Sequence, residues 1–171
     1  MRAAAEKQNP VLVIGYGNPL RSDDAFGWCV AARLEQEGCG PMTDVLACHQ
    51  LTPELAEEIR SRRLVIFVDV EVGCPVGEIR QRAVDPDPSG APVFGHTLEP
   101  KGLLSLTRGL FGGAPEAILI STGGVNFEIG DVLSLPVEIA VARTVGEIRR
   151  ISAQAAASLN SRPAAPAPFE E

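Results

Sequence analysis

The stretch V-L-V-I-G-Y-G-N-P-L-R-S-D-D-A-F-G, residues 11–27, decides the fold. Its first four residues are aliphatic and predict a buried strand. The chain leaves this strand through Gly15 and Gly17 and enters a helix at the acidic pair Asp23 and Asp24. A buried strand, a glycine turn and a helix in this order are typical of α/β proteins, which bind ligands at that turn. The stretch therefore predicts an α/β fold with a site at the end of the first strand.

The glycine turn is similar to a dinucleotide-binding loop but lacks two of its features. The third glycine of the G-x-G-x-x-G pattern, which lets the helix pack closely on the strand, is replaced by Leu20. Asp23 and Asp24 would also repel a pyrophosphate at the helix N-terminus. Either aspartate alone can be explained as a helix cap. The pair together is better suited to a cation.

Composition and charge exclude several classes of protein. The chain has 171 residues, 45% of them hydrophobic, and a net charge of -7. An acidic chain without a basic cluster argues against nucleic acid as a partner. No apolar run reaches the roughly 20 residues of a membrane span, and residues 1–10 contain no signal sequence. Four cysteines without a C-x-x-C pair predict free thiols in a cytoplasmic protein. A monomer is the default expectation for the oligomeric state.

Apolar runs that alternate with amphipathic segments predict a three-layer α/β/α sandwich with a mostly parallel, twisted sheet. The predicted strands are 11–16, 43–48, 64–70, 77–84 and 117–122, and the predicted helices are 23–37, a second one from 52, 98–110 and 134–159. The fourth strand is polar and is expected near an edge of the sheet, where it could run antiparallel. Residues 11–160 are expected to form one domain. Residues 1–10 form an N-terminal extension, and the Pro/Ala-rich tail 161–171 is expected to be disordered.

Candidate site residues lie at or after the ends of several of these strands, at the rim where α/β sheets bind ligands. They are Gly15, Gly17, Asn18, Asp23 and Asp24 at the end of the first strand and in the turn after it, His49 and Gln50 after the second, Asp69 at the end of the third, and His96 in the loop after the fourth. A carboxylate in a buried strand costs desolvation unless it is paired or binds a metal. Two carboxylates and an imidazole are ligands for a divalent metal such as nickel or zinc. Each residue alone also has an ordinary structural explanation, as a turn glycine, a cap or a solvated loop histidine.

Taken together, three motifs resemble the hydrogenase maturation proteases, the endopeptidases that trim the large subunit of nickel–iron hydrogenases. The motifs are G-Y-G-N-P-L-R-S-D-D-A-F-G at 15–27, V-D at 68–69 and G-H at 95–96, and the resemblance covers about residues 11–150. It implies removal of a C-terminal extension from a nickel-loaded large-subunit precursor. It also implies that Asp24, Asp69 and His96 contact this nickel. Because the nickel comes with the substrate, the free protein can be free of metal, or another divalent cation can occupy the site.

The resemblance also implies roles for the remaining residues. Asp24, Asp69 and His96 would be the catalytic and metal-binding residues of a metal-assisted hydrolysis. The expected substrate contacts are Gly15, Gly17, Asn18, Asp23, His49 and Gln50, with Asp23 also a possible base. His49-Gln50-Leu51-Thr52, in place of an Asp-Gly-Gly-Thr-like segment, resembles the branch that serves bidirectional, NAD(P)-linked hydrogenases.

Several alternatives stay open at the level of the sequence. The nickel could act in catalysis or only in recognition of the substrate. The chain lacks the G-x-S-x-G and H-E-x-x-H motifs, which argues against a serine hydrolase or a zinc protease of those types. The glycine turn leaves room for a non-catalytic module that binds a nucleotide or effector. A chaperone that binds the precursor without cutting it would carry the same surface.

Overall fold

The computed structural model describes residues 8–87 and 98–160, with side chains described up to residue 158. These residues form a five-stranded sheet between two layers of helices, so the predicted α/β/α fold is confirmed. The strands are β1 (Val11–Tyr16), β2 (Thr43–Cys48), β3 (Leu64–Val76), β4 (Ile79–Ala83) and β5 (Glu116–Gly123). The helices are α1 (Phe26–Glu37), α2 (Leu55–Ile59), α3 (Pro100–Phe111) and α4 (Leu135–Asn160), with a 3-10 turn, Ser22–Ala25, before α1. His96 and the tail 161–171 lie outside the described residues.

The order of the strands brings the predicted site residues to one place. The sheet runs β2-β1-β3-β5-β4, and every pair is parallel except β4 with β5. β4 is therefore an antiparallel edge strand, as its polar sequence predicts. The chain moves from β1 to β2 on one side and later to β3 on the other side, so the strand order reverses between β1 and β3. Open α/β sheets bind their ligands at such a reversal, beyond the carboxyl ends of the strands.

The third strand is longer than its apolar run predicts. The prediction ends at Val70, whereas β3 continues to Val76 with an irregular register between Glu71 and Val76. Both of these residues pair with Gly123 of β5. The chain bulges between them and returns to the same partner strand. Asp69 was predicted at the end of the third strand. It lies instead within the paired part of β3.

Two glycines place the N-terminus of α1 directly on the sheet. A Cβ atom on Gly15 would lie 2.0 Å from the carbonyl oxygen of Gly27, and one on Gly27 would lie 2.1 Å from that of Val68. No side chain fits at either position. The close packing that the third glycine provides in a dinucleotide-binding loop is thus supplied here by Gly27, seven residues beyond Leu20. It brings the acidic pair close to the ends of β1 and β3.

The core consists of two apolar layers, one on each face of the sheet. One layer joins α1 and α4 to the sheet through residues such as Phe26, Val68 and Ile148. The other joins α2 and α3 to the sheet and includes Ile14 and Phe67. No helix in the described part of the chain combines the length and the apolar character needed to cross a lipid bilayer.

Candidate active site

A cavity of about 480 Å³ lies beyond the ends of β1, β2 and β3, at the reversal of the strand order. It is lined by Tyr16, Gly17, Asn18, Arg21, Asp24, His49, Gln50, Leu51, Asp69 and Leu98. Six of the residues that the sequence proposes for the site therefore line one cavity. They are Gly17, Asn18, Asp24, His49, Gln50 and Asp69.

The turn after β1 holds Asp24 at the cavity. Gly17 has a φ of 137°, and a Cβ atom on it would lie 1.8 Å from the carbonyl oxygen of Asp24. The backbone N–H of Asn18 donates a hydrogen bond to Oδ2 of Asp24 at 2.9 Å. The side-chain oxygen of Asn18 accepts a hydrogen bond from Leu20 N–H, also at 2.9 Å, and closes the turn. Gly17 and Asn18 thus shape the loop that presents this carboxylate.

Asp69 lies across the cavity from this turn, on β3. Its Oδ1 atom accepts a hydrogen bond from Val70 N–H at 2.8 Å. Burial is the largest of the effects that raise the pKa of Asp69 to about 7. The negative charges of Asp24 and Glu71 act in the same direction, whereas the hydrogen bond from Val70 N–H and the interaction with the Tyr16 hydroxyl act against it. Asp24 and Asp69 are therefore close enough to repel each other. A buried acid with a raised pKa in a cavity is a candidate for function.

The raised pKa of Asp69 predicts a pH-dependent loss of stability. The native protein holds a proton on Asp69 up to a pH of about 7, whereas the unfolded chain releases it near 3.8. Between these values the native state binds more protons, so this group lowers the free energy of unfolding as the pH rises. Asp69→Asn removes that contribution. In urea denaturation, the stability of the variant relative to wild type should therefore increase from about pH 4 to about pH 8. A difference that is constant over this range would contradict the assignment.

Asp23 points away from the cavity and holds a loop in place. Its side chain is fully buried, and Oδ2 accepts hydrogen bonds from Val125 N–H, Asn126 N–H and the Ser134 hydroxyl, each at 2.9 Å. Oδ1 accepts one from Ser134 N–H at 2.7 Å. Burial acts to raise the pKa of Asp23, but these hydrogen bonds hold it below its usual value. The structure thus gives Asp23 a role in ordering this loop and does not place it in the cavity wall, so its contact with substrate stays a prediction.

Gly15 is the other proposed contact that the structure does not bring to the cavity. It is buried in β1, and the space beside it is filled by Gly27 and by the side chain of Ala31. Its role is the packing of α1 on the sheet. His96, the third proposed metal ligand, lies in residues 88–97, outside the described part of the chain.

The carboxylates of Asp24 and Asp69 fit a cation, because a positive charge between them would relieve their repulsion. Imidazole and carboxylate ligands together suit a divalent metal, and His49 lines the same cavity. Within residues 8–87 and 98–160, no group of three His, Cys, Asp or Glu residues could hold a metal ion. The described residues thus include two of the three proposed ligands.

Four residues of the cavity wall were missed from the sequence, namely Tyr16, Arg21, Leu51 and Leu98. The signal for Tyr16 was the alternation along β1, since Leu12 and Ile14 face the same layer as Tyr16. Arg21 lies in the turn and donates a hydrogen bond from Nε to the carbonyl oxygen of Phe127 at 3.3 Å. Leu98 reaches the rim through an isolated bridge to Leu51, for which the sequence carries no local signal.

Comparison with solved structures identifies the relatives of this fold. Neither a protein-family model nor a curated protein sequence matches the chain significantly. The chain is similar to the [NiFe] hydrogenase maturation protease HycI from Thermococcus kodakarensis KOD1, with 26% identity and a TM-score of 0.68 over 86% of this chain and 95% of the other. It is similar to a hydrogenase 2 maturation peptidase from Thaumarchaeota archaeon SCGC_AB-539-E09, with 25% identity and a TM-score of 0.62 over 82% and 96% of the two chains.

The Escherichia coli hydrogenase maturating endopeptidase HybD shares the same fold. It is 21% identical, with a TM-score of 0.68 over 85% of this chain and 93% of that chain. The similarity thus covers nearly the whole length of each relative and most of the described residues here. The family resemblance read from the three sequence motifs is confirmed.

Proposed function

We propose that this chain, which has the fold of the [NiFe] hydrogenase maturation proteases, is an endopeptidase that removes the C-terminal extension of a hydrogenase large-subunit precursor. One observation carries the proposal. Asp24 and Asp69 come from different elements and line one cavity at the reversal of the strand order. This position is where an α/β sheet binds its ligand, and the two carboxylates are the groups that the family resemblance assigns to the metal.

The metal belongs to the substrate in this proposal. Asp24, Asp69 and His96 would hold the nickel that the precursor brings. A bound divalent ion can polarise a carbonyl group or lower the pKa of a water molecule. Asp24 and Asp69 would supply the negative charge that holds and orients the ion. The exposed side chains of His49 and Gln50 would contact the polypeptide that enters the cavity.

The assignment of His96 rests on the G-H motif at 95–96. In the sequence, His96 precedes by two residues Leu98, which lines the cavity and pairs with Leu51. Its role as the third ligand stays a prediction.

A protein substrate also agrees with the surface beside the cavity. Leu20, Ile129 and Val132 are 64%, 90% and 72% exposed, and Gly130 N–H donates a hydrogen bond to the carbonyl oxygen of Leu20. Exposed apolar side chains that lie together mark sites of contact with other proteins. We assign this surface to the folded part of the precursor, next to its extension.

The non-catalytic alternatives have less support. The carboxylates at the start of the helix would repel the phosphates of a nucleotide, and solved structures of similar fold include maturation proteases. A precursor-binding chaperone would share the surface but would leave the substrate uncut. The four cysteines are free thiols, which agrees with a reaction in the reducing cytoplasm.

The intact mass of a nickel-loaded large-subunit precursor, measured before and after incubation with the chain, tests the proposal. We expect the loss of one defined C-terminal peptide, and no loss from a nickel-free precursor. Asp24→Asn is the matched inactive control, because it removes one charge from the cavity without changing the shape of the side chain. We expect this variant to leave the precursor uncut. If several types of nickel-loaded precursor kept their full mass, the peptidase proposal would be wrong.

A further inference from the structure

Tyr16 is the last residue of β1 and lies beside Asp69. Gly15 pairs with Val68 in the parallel register of β1 and β3, so the next residues on the two strands are neighbours. Side chains alternate between the faces of a sheet. Tyr16 follows Leu12 and Ile14 on the α2–α3 side, and Asp69 continues the alternation of Val65 and Phe67 on that side. The register therefore places the phenol and the carboxylate on the same face, in the wall of the same cavity.

The hydroxyl of Tyr16 lies next to the carboxyl group of Asp69 and interacts with it. Burial and the negative charge of Asp69 raise the pKa of Tyr16 well above its usual value, so the phenol keeps its proton and stays a donor. Val70 N–H donates to Oδ1 of the same carboxyl group at 2.8 Å. The carboxyl group is thus held by one donor from its own strand, and the phenol on β1 is a second donor beside it.

We propose that Tyr16 is a positioning residue, whose hydroxyl orients the Asp69 carboxyl group so that a free lone pair faces the cavity. Groups that hydrogen-bond a metal ligand fix its orientation, and their loss typically costs about 10–100-fold in affinity or activity. Tyr16 does not contact the substrate's metal in this role and acts only through Asp69. The inference rests on the proposed function, in which Asp69 is a ligand.

The first test examines the contact itself in the metal-free chain. Tyr16 is the single tyrosine of the sequence, so incorporation of 3-fluorotyrosine gives one ¹⁹F resonance, which reports on this residue alone. Asp69→Asn should shift that resonance by more than its linewidth. Asp131→Asn, at an exposed aspartate outside the cavity wall, should leave it unchanged. An unchanged resonance in Asp69→Asn overturns the proposal.

The second test examines the consequence for cleavage. Tyr16→Phe keeps the aromatic ring that packs on the α2–α3 side and removes only the hydroxyl. We expect kcat on the nickel-loaded precursor to fall roughly 10–100-fold, with KM unchanged within about twofold and with a melting temperature that stays well above the assay temperature. A merely structural role would change the melting temperature and leave kcat as it is.

The two tests separate this inference from the proposed function. If the wild-type chain cleaves the precursor and Tyr16→Phe cleaves it at the same rate, the positioning role is wrong and the peptidase stands. If the wild-type chain cleaves no precursor, the peptidase proposal fails and the catalytic consequence of Tyr16 fails with it. The ¹⁹F result still decides whether Tyr16 holds Asp69.

Discussion

Asp69→Asn is expected to abolish processing of the precursor while leaving the fold intact. Asparagine has the same shape but carries no negative charge, so it cannot hold a cation together with Asp24. We expect kcat to fall by more than the roughly 10–100-fold that is typical for partners of metal ligands. The free energy of unfolding at neutral pH should stay the same or rise, because the cost of burying the charge of Asp69 and its repulsion by Asp24 and Glu71 disappear.

Single-turnover cleavage of the nickel-loaded precursor, followed by mass, measures the first effect, and thermal melting measures the second. Asp131→Asn provides the control, since it removes one charge from an exposed position outside the cavity wall. A variant Asp69→Asn that cleaved at the wild-type rate would remove Asp69 from the mechanism. A variant that lost activity only because it unfolded would show a lowered melting temperature. Loss of the Asp69 charge would then not be the cause of the lost cleavage.

Asp23→Asn is expected to lower stability and Asp24→Asn to lower activity, although the two residues are adjacent and chemically identical. Asp23 accepts four hydrogen bonds in a fully buried site. An amide group would turn its NH₂ toward at least one of these donors and leave it unpaired. Hydrogen bonds to charged groups contribute about 1.5–3 kcal/mol each, and an unpaired buried donor costs about 1–3 kcal/mol. We expect the free energy of unfolding of Asp23→Asn to be lower by roughly 2–4 kcal/mol.

Asp24 is half-buried and accepts one backbone hydrogen bond, from Asn18. Asp24→Asn should therefore change the free energy of unfolding by less than about 1 kcal/mol, yet it should lose processing activity. Urea denaturation and the cleavage assay, applied to both variants, form one matched experiment. Well below its melting temperature, Asp23→Asn should still cleave the precursor. Equal stability losses in the two variants would contradict the division of roles between them.

The fold could be predicted largely from the sequence because its strands carry strong local signals. Uninterrupted apolar runs such as 11–14 and 64–68 indicate strands covered on both faces, and the polar strand β4 lies at an edge, as expected. The extension of β3 to Val76 was not predictable, since Gly73 and Pro75 normally interrupt a strand. It arises from pairing with β5, which is distant in the sequence and gives no local signal.

The candidate site was predictable only in part. Asp69 follows directly from the cost of a carboxylate in a buried strand. The sequence could not assign separate roles to Asp23 and Asp24, because both suit a helix start. The loop that donates hydrogen bonds to Asp23 lies about 100 residues further along the chain. Tyr16 was missed because a tyrosine between two glycines is easily explained as part of the turn.

The hydrogen bonds of Asp23 have a consequence for the thermodynamics of association. They order the loop of residues 125–134 in the free protein, before any partner arrives. Binding then removes little conformational entropy from this surface, since the entropy was already lost on folding. Most of the conformational entropy lost on complex formation is therefore lost by the C-terminal extension of the precursor, which must become ordered to enter the cavity. Truncating or stiffening that extension should therefore alter affinity more than any rigidification of this chain.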